Sequence, residues 1–295
     1  MLAVTLYFAC GVAFGRVVRG TGRVSAVLNL WVVNVALPAL ILAKLPGLAI
    51  GEQFAVPVAV AWTLVVLGAG GVLVAARAGG FSRAETGALL MIVPLGNTSF
   101  LGLPVVQALL GQDHLPSALA FDQLGTFLAL ATYGLLVAGR LGHGDRGWRP
   151  VARRLFRFAP FLALLASVPL RAVTVPAAVH DLFSVAGRTV APVALLSMGM
   201  RFVPRMAPAK SRVILTGLAL KMVLMPAAVT LAAVLFGDLT SVAWQSTLLE
   251  SAMPPMVTAG VLAVSAGFDE ETVVGAVGLG TIAALVVFSA VSLAA

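Results

Sequence analysis

The chain reads as an all-α polytopic membrane protein, with ten transmembrane helices forming an inverted five-plus-five repeat, and three observations lead there. First, 60% of its 295 residues are hydrophobic and 10% are charged, with a mean hydropathy of +1.06. A soluble domain needs a polar skin that this composition cannot supply. Second, apolar stretches of about 18 residues or more recur along the chain, without the ~10-residue alternation of a membrane β-barrel. Third, two of these stretches, 84–110 and 242–266, are interrupted in the middle and lie five spans apart.

The expected spans are 1–18, 25–45, 54–76, 84–110, 117–139, 153–172, 177–200, 212–236, 242–266 and 271–294. No basic stretch precedes the first apolar run, so it reads as a retained helix rather than a cleaved leader. Its Gly11-x-x-x-Gly15 pattern offers a small-residue packing face, and a homodimer and packing within the chain use such a face equally well. The odd-numbered connections hold Arg16, Arg19, Arg23, Arg77, Arg83, Arg140, Arg146, Arg149, Arg153, Arg154, Arg157, Arg201, Arg205, Lys210 and Arg212. The even-numbered ones hold only Lys44 and Arg171. Positive charge stays in the cytoplasm, so both termini are expected outside, in the inner (plasma) membrane of a prokaryote. The net charge of +8 is therefore topological and does not imply a nucleic-acid partner; the bilayer is the expected environment. Cys10 stands alone, so there is no disulfide framework.

An odd number of spans per half forces the second half to run opposite to the first. The expected units are residues 1–139, a basic cytoplasmic connection at 140–152, and residues 153–295. Asn34 precedes Pro38 by four residues in the second span, and Arg188 precedes Pro192 by four in the seventh, its counterpart.

The interruptions carry the chemistry. The first reads Pro94-Leu-Gly96-Asn97-Thr98-Ser99-Phe-Leu-Gly102-Leu-Pro104, the second Glu250-Ser-Ala-Met-Pro254-Pro255. A break within hydrocarbon leaves backbone groups unpaired unless protein or a wet cavity satisfies them. Gly96 and Gly102 permit unusual dihedrals and close approach. Asn97, Thr98 and Ser99 are suited to capping a second half-helix, with Pro104 in its first turn. Such an N-terminus, bearing about half an elementary charge, is a carboxylate site. Pro254 and Pro255 are expected to mirror it. Asn34 is placed to hydrogen-bond the first break or a substrate.

Three charges fall at membrane depth: Arg188, Lys221 and Glu250. Glu250 either neutralises Lys221 or Arg188, or serves proton or cation coupling while one cation faces the substrate. Asp122, with Gln123 and Thr126, opens the fifth span, where solvation and a cation site are both open readings. Glu85 is expected at the interface. His114, His143 and His180 have no ligand spacing and receive no role, and no metal site is expected. No catalytic constellation of an intramembrane enzyme is present, and neither a pore pattern nor a soluble signalling module is apparent.

Asn34-Val-Ala-Leu-Pro38, Gly96-Asn97-Thr98-Ser99-Phe-Leu-Gly102-Leu-Pro104, Ala191-Pro192-Val-Ala-Leu-Leu-Ser-Met-Gly199, Lys221-Met-Val-Leu-Met-Pro226 and Glu250-Ser-Ala-Met-Pro254 occur in this order. Together they resemble the auxin efflux carrier family, in its compact bacterial form. The resemblance implies a fold related to sodium/proton antiporters and bile-acid symporters, with helices 4 and 9 crossing at their breaks. It also implies alternating-access transport of a small organic anion, a mono- or dicarboxylate such as malate or malonate, or auxin in plant members. It places spans 1, 2, 5, 6, 7 and 10 in one body and spans 3, 4, 8 and 9 in the crossing core. In the related symporters a glutamate before the helix-9 break binds sodium; H+ or Na+ coupling at Glu250 follows by that analogy, with no other cofactor. The alternative is a symporter-like carrier of a larger amphipathic anion.

Overall fold

In the computed structural model, which describes residues 1–18, 21–46, 51–142, 158–173, 175–202 and 208–294, the regular elements are helices. They are α1 (Leu2–Val17), α2 (Thr21–Lys44), α3 (Glu52–Gly79), α4 (Arg83–Ile92), α5 (Thr98–Leu109) and α6 (Gln112–Leu141). The second half continues with α7 (Ala159–Leu170), α8 (Ala177–Met200), α9 (Pro208–Phe236), α10 (Val242–Ser251), α11 (Val257–Ser265) and α12 (Glu270–Ala294). Six of these, α2, α3, α6, α8, α9 and α12, are long and apolar enough to cross a bilayer unaided. Large apolar side chains such as Val66, Leu231, Phe236 and Val286 point outward, exposed, as a lipid-facing surface requires. His143, the expected cytoplasmic arginines at 146, 149, 153, 154 and 157, and those at 19 and 205 lie outside the described residues.

Local chemistry sets the element ends. Gly80 closes α3 in the left-handed region, with φ of 65°, where a Cβ is disfavoured. Ser82 and Glu85 start α4 with reciprocal side-chain to backbone bonds, so Glu85 is a capping residue. Pro38, Pro104 and Pro226 each follow a widened π-turn, at Val32–Ala36, Thr98–Gly102 and Leu220–Leu224. The wider turn makes room for the ring against the preceding carbonyls and absorbs the missing N–H.

The helices form two packed groups. One comprises α1, α2, α7 and α8; the other comprises α3, α4, α5, α6, α9, α10, α11 and α12. The expected division is thereby corrected: the fifth span (α6) and the tenth (α12) belong with the crossing core. The reason is chemical, since α6 supplies the carboxylate that holds the first break and α12 receives the prolines of the second at Gly280. In the first group, a Cβ at Gly15 would lie 2.5 Å from Met200 O, and one at Gly11 would strike Leu196 O. The small-residue face of α1 is thus spent within the chain, against α8.

Polar contacts sort the helix ends into two sets. At one end Arg201 Nη2 donates to Gly22 O, Arg83 to Arg140 O and Leu141 O, and Lys210 bridges Glu85 at 2.8 Å and Asp269 at 3.1 Å. At the other, Lys44 donates to Gln112, Ser241 to Glu52, and His114 pairs with Gln245.

Candidate functional site

The two interruptions meet. Asn97 N–H donates to Pro254 O at 2.7 Å and Met256 N–H to Leu95 O at 2.9 Å, so Gly96 and Pro255 form a one-residue antiparallel bridge. Each break therefore satisfies part of the other's backbone, which allows both to persist away from water. The first break is shorter than expected. Its non-helical residues are 93–97, and α5 resumes at Thr98, leaving Gly102 and Pro104 inside a helix. The second runs from Ala252 to Met256. Neither Gly96 nor Gly102 uses a positive φ; both serve close approach.

At Gly96 the neighbour is Lys221, whose Nζ would lie 3.1 Å from a Cβ there. Lys221 is buried and donates to Ser251 O at 3.0 Å, covering the carbonyl end of α10, where a cation is favoured. Tyr133 performs the matching task on α4, donating to Leu90 O at 2.8 Å. Sequence reasoning missed Tyr133; the signal was a hydroxyl at mid-span on one of only two tyrosines.

Asp122 is fully buried, which removes the solvated reading. Its carboxylate accepts from Thr98 Oγ1, from Ser99 Oγ at 2.6 Å and 2.7 Å, and from Gln123 Nε2 at 2.6 Å. Thr98 and Ser99, expected as helix caps, thus turn their hydroxyls to α6 and pin the break from the side. Asn97 makes no capping bond; its Nδ2 contacts Met198 Sδ at 3.5 Å.

Glu250 is fully buried against Gly102, and neither carboxylate oxygen has a hydrogen-bond partner among the described residues. Gln123 Oε1 and Thr247 Oγ1, the latter one turn before Glu250, are likewise without partners. Of the two readings of Glu250, the ion pair with Lys221 or Arg188 does not form among the described residues. Arg188 is exposed, where α8 is interrupted at Thr189. Asn34 is also exposed and donates to Leu30 O of its own helix at 2.9 Å, so it does not hold the break. Pro38 is half-buried behind its π-turn.

A cavity of about 470 Å³ opens between the two helix groups and is lined, close to the breaks, by Phe100 and Val257, which follow them in sequence. Asn29, Ser197, Met198, Arg201 and Phe202 line one wall; Phe100 and residues of α11 and α12 line the other. Val257 and Thr258, the exposed first turn of α11, face into it, and first-turn N–H groups lack intrahelical partners. A helix start of this kind brings partial positive charge beside the cavity without a buried formal cation.

The sequence model of a family described as membrane transport protein matches residues 1–147 and 148–291. An uncharacterized transporter of the archaeon Methanothermobacter thermautotrophicus is 30% identical over 275 residues, 89% of this chain and 86% of that protein. An uncharacterized transporter of Methanocaldococcus jannaschii is 25% identical over 126 residues, 41% of this chain and 40% of that protein. Matched over nearly its whole length, the chain belongs to the membrane transport protein family, the auxin efflux carrier family whose motifs it carries.

Proposed function

We propose that the protein is a secondary carrier for a small organic anion, working by alternating access around the crossing of its two broken segments. The observation that carries this reading is the cavity of about 470 Å³ ending at the first turn of α11, beside the paired breaks. A carboxylate there would accept from unpaired N–H groups. Rocking of the α1–α2–α7–α8 group against the crossing core would close this cavity and open its opposite face.

Ten crossings and an inverted repeat fit the sorting of helix ends into two sets, with α4–α5 and α10–α11 each counting as one span. The junction between the two family-matched stretches, at 147/148, falls in the basic connection expected between the halves. With basic loops inside, both termini lie outside and the cavity faces the cytoplasm of a prokaryotic cell. Glu250 is the proposed coupling group. Its buried carboxylate lacks a donor among the described residues, so H+ or Na+ would supply the missing partner.

Uptake by proteoliposomes tests the reading. Asn97→Ala, correctly inserted, is expected to lower carboxylate uptake by about tenfold or more, the effect of losing one orienting contact. Wild-type rates would exclude the crossing as the site. Glu250→Gln is expected to abolish dependence on the driving ion gradient.

A further inference from the structure

We infer that two side-chain hydrogen bonds, Lys44–Gln112 and Thr5–Ser289, latch the outer ends of the two helix groups together and hold the empty protein open to the cytoplasm. The inference rests on the carrier reading above. Lys44 Nζ donates to Gln112 Oε1 at 3.2 Å, and the hydroxyls of Thr5 and Ser289 share a hydrogen bond of 3.1 Å. Thr5 lies on α1 and Lys44 ends α2, whereas Gln112 starts α6 and Ser289 is near the end of α12. Each bond therefore crosses from one group to the other. Apart from the Asn97–Met198 contact at the breaks, they are the side-chain hydrogen bonds that do so among the described residues. Both lie at the same end of the bundle, opposite the cavity mouth.

An apolar seal accompanies each latch. Leu40 and Ile41 of α2 share one buried cluster with Leu115 and Leu119 of α6. Val4 and Phe8 of α1 share another with Val105 of α5 and Phe288 of α12. The cytoplasmic end is built the other way. Arg201 bonds Gly22 O within one group, and Lys210 bonds Glu85 and Asp269 within the other. The mouth opens between them, beside Arg201 and Glu270. Apolar burial resists parting without fixing a position, because it is non-directional; a hydrogen bond sets where the two groups meet. Thr5, Lys44 and Ser289 are half-buried and Gln112 is exposed. Water replaces each bond once the groups part, so the resistance is modest and the face can still open.

The test is labelling by a membrane-impermeant maleimide, on the full-length protein in vesicles of both orientations, with Cys10→Ser as background. Leu119→Cys reports the outer seal, and Val261→Cys, on the cavity wall, reports the cytoplasmic side. Combining Lys44→Met with Ser289→Ala is expected to speed outer labelling of Leu119→Cys about tenfold or more, at roughly fivefold per bond lost. Inner labelling of Val261→Cys should not rise. Lys44→Arg keeps a donor and is expected to label at the wild-type rate. Ile41→Ala, which thins the seal alone, is the control. If it speeds outer labelling and the latch variants do not, the latches are overturned and the carrier reading stands. Both reporters rising together, with a lower melting temperature, would mean a loosened fold and would also overturn the latches. If Leu119→Cys stays unlabelled from outside in every variant, the outer face never opens, and both readings fall.

Discussion

The carboxylate of Glu250 fills the space beside residue 102 that a side chain would need: a Cβ built on Gly102 falls 2.8 Å from Glu250 Cδ. One glycine thus lets α5 and α10 approach across the crossing, and a buried carboxyl group with no hydrogen-bond partner among the described residues fits into the notch. Gly102→Ala is expected to push Glu250 aside and cost about 1–3 kcal/mol, typical of overpacking. Thermal unfolding in detergent measures that loss. Wild-type stability and uptake in this variant would show that the two residues do not share the space.

The side chains of Lys221 and Glu250 are buried near one another without an ion pair between them. Lys221→Met is expected to destabilise by about 3 kcal/mol, because Ser251 O loses its donor and the acid loses its nearest cation. Adding Glu250→Gln should recover part of that loss. A double-mutant cycle with no interaction energy would mean that the two charges are independent.

Gly11→Leu drives a side chain into Leu196 O of α8. It is expected to lower thermal stability while leaving the oligomeric state, measured by light scattering, unchanged. A shift in oligomeric state with full stability would instead assign this face to a contact between copies.

Asp269, in the loop before α12, sits under opposed influences. Burial raises its carboxyl, while the Thr272 donors and the Lys210 ammonium lower it, and the net effect is downward. A depressed carboxyl stabilises the fold above the unfolded value of about 3.9 and loses that contribution as pH falls through the folded value. Asp269→Asn should therefore be less stable than wild type near neutral pH by up to about 1 kcal/mol. The two melting curves should converge in acid, and a constant gap across pH would remove Asp269 from the linkage.

The long apolar helices and the two discontinuities were legible in the sequence, since hydropathy and proline placement act locally. The roles of Thr98 and Ser99 were not. Hydroxyls at a helix start suit capping, and only the packing of α6 reveals that Asp122 is a stronger acceptor for them. Asp122 looked terminal because the span was begun at residue 117, whereas α6 starts at Gln112 and carries the acid a further turn inward. Asn34 and Arg188 repeat a spacing from proline that marks a distorted turn, and both residues are exposed rather than bonded to either break. The cavity valines were invisible as site residues, because one more valine in an apolar helix carries no signal until its wall is seen.

The reciprocal bonds between Leu95 and Met256 and between Asn97 and Pro254 also bear on how the protein is made. As the ribosome delivers the chain from its amino end, the first half reaches the bilayer with one carbonyl and one amide still waiting for residues far downstream. An isolated amino-terminal half therefore holds a dangling strand edge in oil. Maturation is completed only when the carboxy-terminal half threads in and closes it.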